Sequence, residues 1–194
     1  MKPESKFVLL GGPSGVGKSS VISEVVYRSR EFTYISPYVT RTLREDESDK
    51  VHISDQTMDE MQAAGELLTV NEIYGVRYGT PIAPIWGALR ENRYPILDWP
   101  VDKRDIISHE FGKRALMLYL MPPSVEGLKV RLNRDNRDPS GCRINKAIEE
   151  LAAVESGVFD GDIDYRLVSE DGQIAKLAET VIEIVLGKIK PSPT

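Results

Sequence analysis

Gly12-Pro13-Ser14-Gly15-Val16-Gly17-Lys18-Ser19 is the stretch of this 194-residue chain that determines its fold. It follows the apolar run Phe7 to Leu10 and precedes a helix-like segment from Ser20 to about Arg28. The glycines let the backbone curl so that successive N–H groups point at one anion, with the positive end of the helix behind them. Strand, loop and helix in this order predict a P-loop in which Gly12 to Ser20 bind a nucleoside triphosphate. A glycine-rich turn that matches by chance is the weaker alternative.

The last two residues of the motif carry its chemistry. We expect Lys18 to reach the β- and γ-phosphates, which makes it the first candidate catalytic residue. We expect the Ser19 hydroxyl to bind Mg²⁺.

The composition narrows the class of protein. A length of 194 residues suits one domain with a substantial core, and the formal net charge of −5 argues against a general nucleic-acid binder. Cys142 is the single cysteine, so no intrachain disulfide forms and a reducing compartment fits. No run is long enough to span a membrane, and we find no signal-peptide pattern. We therefore expect a cytoplasmic protein with neither membrane nor nucleic acid as partner.

Strand-like and helix-like segments alternate along most of the chain. This alternation predicts an α/β fold of the P-loop NTPase type, a parallel sheet flanked by helices. The predicted strands are 7–10, 94–98, 115–121 and 165–168; the predicted helices cover about 20–28, a segment capped by Ser124, about 143–155, and a last helix from about 174.

Two stretches depart from this alternation. Residues 34–80 show short strand-like signals with one helix-like turn, which predicts a small mixed α/β subdomain inserted into the core. Residues from about 133 to 143 are polar and turn-prone, which predicts a lid. The single domain would then have a core made of residues 1–33 and 81–190.

Phosphoryl transfer needs positive charge around the transferring group and a metal ion. Arg41 and Arg44 follow a strand and are spaced to converge on one anion, although solvated strand-end arginines are the alternative. Asp98 ends a strand, where a carboxylate commonly orders Mg²⁺ or its waters, although it would also suit a helix N-cap.

The predicted lid is rich in arginine. Arg134, Arg137 and Arg143 are candidates for a catalytic clamp over the transferring phosphoryl group, and Arg131 lies one turn before them. The alternative is a solvated charged face.

The segment around Tyr78-Gly79-Thr80-Pro81 has two interpretations. The hydroxyls of Tyr78 and Thr80, beside a flexible glycine, are candidates for binding a phosphate. Thr80 and Pro81 also make a good N-cap and N1 pair for the helix that follows.

Together these motifs resemble the guanylate kinase family over nearly the whole chain. Besides the P-loop, the resemblance rests on the segments Val39 to Arg44, Tyr78 to Thr80, Leu97-Asp98, Pro122 to Ser124 and Arg131 to Arg143. It implies an ATP- and Mg²⁺-dependent kinase for a nucleoside monophosphate, with GMP first. It further implies that Arg41, Arg44 and Tyr78 hold the acceptor phosphate within the inserted subdomain.

The departures from the family pattern concern recognition of guanine. Thr69 stands where the family has a glutamate that accepts from the base, and Pro100 replaces a second acid. Pro37 and Lys50 stand near positions where the family has a serine and a tyrosine. Ser169 occupies the position of an asparagine that often contacts adenine.

Residues close to the altered positions are candidates for recognising the base in place of the missing acids. Glu72 and Asp102 lie close in sequence to the altered positions, so the candidate acceptor-binding set is Arg41, Arg44, Thr69, Glu72, Tyr78, Thr80 and Asp98. We expect a weaker preference for GMP than the family shows, or another acceptor.

Two alternatives stay open. The segment Pro37 to Arg41 with His52 to Ser54 also resembles ribose 1,5-bisphosphate kinases, although those lack the arginine present here as Arg44. A guanylate-kinase-like interaction domain without activity is less favoured, because such domains have generally lost the P-loop. The sequence leaves the acceptor and the oligomeric state undetermined.

Overall fold

The protein is described by a computed structural model that covers residues 7–45, 47, 49–73, 75–111, 115–134 and 141–188. Its strands and helices follow in chain order: β1 (Phe7–Gly11), α1 (Lys18–Arg28), β2 (Phe32–Tyr34), β3 (Tyr38–Val39), β4 (Val51–His52), α2 (Asp55–Ala63), β5 (Leu67–Ile73), β6 (Val76–Pro81), α3 (Ile82–Arg90), β7 (Tyr94–Asp98), α4 (Arg104–Phe111), β8 (Ala115–Met121), α5 (Val125–Arg134), α6 (Cys142–Glu155), β9 (Tyr165–Val168) and α7 (Ile174–Val185). A short 3₁₀ turn at Val101–Lys103 precedes α4.

A five-stranded parallel sheet forms the centre of the molecule. Its strand order is β2-β7-β1-β8-β9, with β1 paired to β7 on one side and to β8 on the other. The side chains of β1 alternate between two apolar clusters, since Val8 and Leu10 pack on one face and Phe7 and Leu9 on the other. Both faces of the sheet are therefore covered, which explains why its central strand is a continuous apolar run.

A second, four-stranded sheet lies between β2 and α3 in the chain. Its order is β4-β3-β6-β5, with β3 and β4 parallel and the remaining pairs antiparallel. Helix α2 packs on one face of this sheet and begins at Ser54, whose hydroxyl accepts from the Thr57 amide at 3.0 Å. The predicted α/β class and the parallel sheet with flanking helices are confirmed.

Local details differ from the sequence prediction. The run Tyr34 to Thr40 is the first of the strand-like signals in residues 34–80, and it is divided between the sheets: Tyr34 ends β2, and Tyr38 begins β3. Thr80 is not the N-cap of α3, because it is buried in β6 and Pro81 occupies the cap position. Helix α4, which the sequence analysis did not anticipate, covers the Phe7 face with Ile107 and Phe111.

A search of the described residues for a membrane-spanning helix finds none of sufficient length and apolar character.

Candidate functional site

The loop between β1 and α1 has the backbone of an anion-binding cradle. Gly12, Gly15 and Gly17 have φ angles of 135°, 83° and 106°, which side chains other than glycine rarely adopt. A Cβ atom on Gly12 would lie 2.6 Å from the carbonyl oxygen of Leu120, so space also requires glycine there. Gly17 precedes the first turn of α1, so N–H groups at the positive end of this helix face the loop.

Lys18 lies across this cradle. Its ammonium donates to the carbonyl oxygens of Gly12 at 2.5 Å and Pro13 at 3.2 Å, and it lies 3.8 Å from a carboxylate oxygen of Asp98. The contact with Asp98 follows from the sheet, because Leu10 and Asp98 are register partners at the carboxyl ends of β1 and β7. Ser19 follows Lys18 in the first turn of α1 and is exposed. The structure therefore brings the predicted lysine and carboxylate together.

Two buried side chains support the loop from behind. Arg131 donates to the carbonyl oxygen of Val16 at 3.3 Å, and the hydroxyl of Ser169 donates to the same oxygen at 2.7 Å. Arg131 also donates to the carbonyl of Ser169 and pairs with Asp171 at 2.9 Å. Only 9% of Arg131 and 1% of Ser169 are exposed.

This supporting pair was not identified from the sequence. From the sequence, Arg131 lies one turn before the lid arginines and Ser169 stands at the position of an adenine contact. In the structure both side chains donate to the Val16 carbonyl oxygen. A buried arginine one helical turn before a predicted lid has no distinguishing sequence signal, because its partners lie 38 to 115 residues away in the chain.

One predicted lid arginine reaches the loop. Arg143, in the first turn of α6, donates to the Ser14 hydroxyl at 3.2 Å. Arg134 lies exposed in the last turn of α5, and Arg137 falls outside the described residues. Arg143 thus brings a guanidinium group to the P-loop from the α6 side.

The smaller sheet has two different faces. Asp59 of α2 pairs with Arg77 at 2.6 Å, and Met58 packs so closely that a Cβ atom on Gly79 would lie 2.6 Å from its sulfur. Since side chains alternate along a strand, the opposite face of β5 and β6 points away from α2. That face, which we call the cleft face, carries Thr69 opposite Thr80 and Asn71 opposite Tyr78.

This arrangement changes the interpretation of two residues. Gly79 was expected to provide flexibility beside a phosphate, but its lack of a side chain accommodates Met58. Glu72 is exposed and pairs in register with Arg77 on the α2 face, so the structure does not bring it to the cleft face.

A charged cluster lies at the β3 end of the cleft face. Arg41 donates to both carboxylate oxygens of Glu47 at 2.6 Å, and Lys50 lies 3.4 Å from the same carboxylate. The Tyr78 side chain also lies within hydrogen-bonding reach of Arg41. Arg44 is exposed, and its backbone amide donates to Glu47 at 3.4 Å.

These contacts shift both ionisation equilibria. The hydrogen bond from Arg41 is the main cause that lowers the pKa of Glu47 to about 2, and Lys50 contributes less. The same hydrogen bond raises the pKa of Arg41. The guanidinium is therefore held in one orientation and stays charged, which suits it to bind an anion.

Tyr34 connects the two charged regions. Burial is the main cause that raises the pKa of its hydroxyl, and the carboxylates of Asp98, Asp49 and Glu47 contribute in that order. The Tyr34 hydroxyl is therefore close enough to Asp98, beside the P-loop, and to Glu47, beside Arg41, to be affected by both charges.

The other end of the cleft face is polar. Lys103 donates its ammonium to the Oδ1 atom of Asn71, which is 6% exposed, and the Thr69 hydroxyl lies 3.5 Å from the same oxygen. Asp102 is exposed on the preceding position of the 3₁₀ turn. Lys103 and Asn71 were not among the predicted site residues, because neither belongs to a motif.

Within the described part of the chain, no three His, Cys, Asp or Glu side chains form a group able to hold a metal ion. Asp98 alone offers a carboxylate beside Lys18. A single carboxylate with a hydroxyl suits Mg²⁺, which keeps most of its waters and is held largely by substrate phosphates.

Comparison with known proteins gives a consistent result. A family model described as guanylate kinase matches residues 4–184. A guanylate kinase of Malacoplasma penetrans is 30% identical over 95% of this chain and 96% of its own length. A guanylate kinase of Trichormus variabilis is 29% identical over 93% of this chain and 89% of its own length.

Solved structures agree on the fold. A guanylate kinase from Anaplasma phagocytophilum superposes with a TM-score of 0.75 at 19% identity, covering 99% of this chain and 90% of that one. A shikimate kinase from Acinetobacter baumannii superposes with a TM-score of 0.51 at 14% identity, with 96% of each chain covered.

Proposed function

Because the chain belongs to the guanylate kinase family, we propose that it transfers the γ-phosphoryl group of ATP to GMP, forming ADP and GDP. The observation that carries this proposal is the pair of phosphate sites on one cleft. The P-loop with Lys18 lies on the core side, and the oriented guanidinium of Arg41 lies on the side of the smaller sheet.

On the donor side, Gly12 to Ser20 bind the ATP phosphates through backbone N–H groups. Ser19 and Asp98 are the residues that would hold Mg²⁺, which would supply positive charge to the phosphates of ATP. In the structure Lys18 rests on carbonyl oxygens of its own loop, so its ammonium moves only a short way to meet a phosphate oxygen. The support of Val16 by Arg131 and Ser169 keeps the loop in its binding conformation.

On the acceptor side, residues 34–80 form the acceptor-binding insertion, and Arg41, Arg44 and Tyr78 hold the phosphate of GMP. The Glu47 carboxylate fixes the plane of the Arg41 guanidinium. Lys50 pairs with Asp49 at 2.7 Å and with Glu47 at 3.4 Å. Thr69 and Thr80 face the same space from β5 and β6. Arg41, Arg44 and Tyr78 recognise a phosphate and do not distinguish one base from another.

The transfer itself requires alignment and charge compensation. An oxygen of the acceptor phosphate attacks the γ-phosphorus, and the bond from that phosphorus to the β–γ bridging oxygen breaks. Lys18 and Arg143 offset the charge that develops on the equatorial and leaving oxygens. Arg134 and Arg137 belong to the proposed lid at about 133–143, from which they would add positive charge near the phosphates.

One observation favours a second acceptor. Lys103 places a cation at the far end of the cleft face, and a second phosphate of a sugar bisphosphate, as in ribose 1,5-bisphosphate, would pair with it.

An inactive interaction domain is disfavoured by the intact P-loop. The single exposed cysteine, Cys142, is in keeping with a cytoplasmic enzyme.

The test is an acceptor panel assayed for ADP formation with ATP and Mg²⁺. We expect GMP to be used and Lys18→Ala to lower kcat by at least about 100-fold without loss of the folded state. A pentose bisphosphate used in preference to every nucleotide would replace GMP as acceptor. Failure to phosphorylate any acceptor would reject the kinase function.

A further inference from the structure

The backbone of Lys103 is held in place by hydrogen bonds of the buried residue Trp99. The indole N–H of Trp99 donates to the Lys103 carbonyl oxygen at 2.9 Å, and the Trp99 amide donates to the Leu10 carbonyl at 3.2 Å. Trp99 is only 2% exposed. These two hydrogen bonds hold the 3₁₀ turn close to β1. From this turn the Lys103 side chain extends to Asn71 of the smaller sheet.

The Lys103–Asn71 contact determines the polarity of this end of the cleft. An ammonium only donates hydrogen bonds, so it fixes the amide oxygen of Asn71 toward itself. The amide N–H₂ group of Asn71 and the remaining ammonium hydrogens of Lys103 are all donors. None of the four cleft-face side chains of β5 and β6, Thr69, Asn71, Tyr78 and Thr80, is a carboxylate.

Hydrogen-bond donors on the protein cannot pair with the N1–H and 2-amino edge of guanine, because that edge also consists of donors. The N1–H and the 2-amino group of guanine are donors and need an acceptor such as a carboxylate. The O6 and N7 atoms of guanine are neighbouring acceptors, whereas adenine has an amino donor in place of O6. A donor pair therefore fits guanine through O6 and N7 and conflicts with adenine.

The distance across the cleft face is compatible with this assignment. Val39, Tyr78 and Asn71 form one row across β3, β6 and β5, so Asn71 lies two strand spacings, about 10 Å, from the β3 strand that leads into Arg41. An acceptor with its phosphate at Arg41 would point its other end at Asn71 and Lys103.

We propose that Lys103 and Asn71 are the specificity-determining residues of the acceptor site and that they select 6-oxopurine nucleotides through O6 and N7. The inference rests on the proposed function and deepens it. No carboxylate of β5 or β6 on the cleft face meets the 2-amino group of the base, so IMP, which shares O6 and N7 with GMP but lacks that group, is an equivalent substrate. AMP is excluded by its 6-amino group.

The experiment compares kcat/KM for GMP, IMP and AMP in the wild type and in Lys103→Met, which keeps the chain length and removes the donors. We expect the wild type to use GMP and IMP within about threefold and AMP at least ~100-fold less well. Lys103→Met should narrow the GMP-to-AMP ratio by at least about 10-fold, the value of a hydrogen bond to a charged group. Lys103→Arg should retain most of the selectivity.

Lys129→Met is the matched control, since Lys129 pairs with Glu126 on α5 and should leave all three ratios unchanged. A wild type that uses GMP more than about 100-fold better than IMP would overturn the inference. An unchanged GMP-to-AMP ratio in a folded Lys103→Met protein would overturn it too, and in both cases the proposed kinase function would stand. Absence of activity with every nucleotide would instead reject the proposed function and the inference together.

Discussion

The ion pair between Arg41 and Glu47 makes stability depend on pH in a predictable way. The pKa of Glu47 falls from 4.5 to about 2 because Arg41 donates two hydrogen bonds to its carboxylate. A carboxylate whose pKa is lowered by folding stabilises the folded state above its unfolded pKa and loses that contribution as it becomes protonated. The stabilisation should therefore be complete above about pH 4.5 and disappear toward pH 2.

Glu47→Gln removes the charge and nearly keeps the shape. We expect the variant to be less stable than the wild type by about 1–3 kcal/mol at pH 7, and we expect the difference to shrink between pH 4.5 and pH 2. Denaturant unfolding at a series of pH values measures both. Glu126→Gln is the control, because that carboxylate is 79% exposed and its pairing with Lys129 contributes little. A difference that stays constant from pH 7 to pH 2 would show that Glu47 does not act through its charge.

Residues within contiguous motifs were open to prediction, and residues that act through distant partners were not. Lys18 and Asp98 meet because each ends or follows a predicted strand of the same sheet. Arg131 and Ser169 converge on Val16 from positions 115 and 153 residues away, and nothing local distinguishes them. Lys103 and Asn71 likewise become neighbours only through the packing of the smaller sheet against the core.

Helix α2 packs tightly against the hairpin of β5 and β6 at Gly79. A methyl group there would lie 2.6 Å from the sulfur of Met58 and 3.0 Å from Leu67. We expect Gly79→Ala to destabilise the protein by about 1–3 kcal/mol, the usual effect of overpacking, as measured by denaturant unfolding.

Two comparisons separate crowding from the general effect of adding a methyl group. Gly87→Ala lies in α3 with no atom within 4 Å of the new methyl group, and it should be neutral or stabilising by up to about 1 kcal/mol. Replacing Met58 with Ala should reduce the cost of Gly79→Ala, because the clashing sulfur is then absent. Equal costs of Gly79→Ala with and without Met58 would refute the packing explanation.

The hydrophobic periodicity of the sequence was enough to predict most segments as helix or strand. Their boundaries depend on tertiary contacts and could not be predicted in the same way. The apolar strands β1, β7 and β8 were predicted because buried parallel strands carry continuous apolar runs. The division of Tyr34 to Thr40 between two sheets was not, since extended backbone looks alike in either sheet. Thr80 and Pro81 have the composition of a helix start, yet pairing with Thr69 keeps Thr80 in β6.

For the molecule as a whole, we propose that the P-loop sheet and the smaller sheet each contribute one phosphate site to a common cleft. Tyr34 ends β2 of the P-loop sheet, and the carboxylates of Asp98 and Glu47 both help to raise the pKa of its hydroxyl. Motif order predicted the two sites, whereas the polarity at Lys103 became visible only once the two sheets were placed together.

The central claim is that this cleft passes a phosphoryl group from one nucleotide to the other. The most direct measurement separates the products of a reaction containing ATP labelled at the γ-phosphate, GMP and Mg²⁺. The account predicts that the label moves into GDP, in a one-to-one ratio with ADP, and that this transfer is lost in Lys18→Ala. Label released only as inorganic phosphate, with GMP left unchanged, would contradict it.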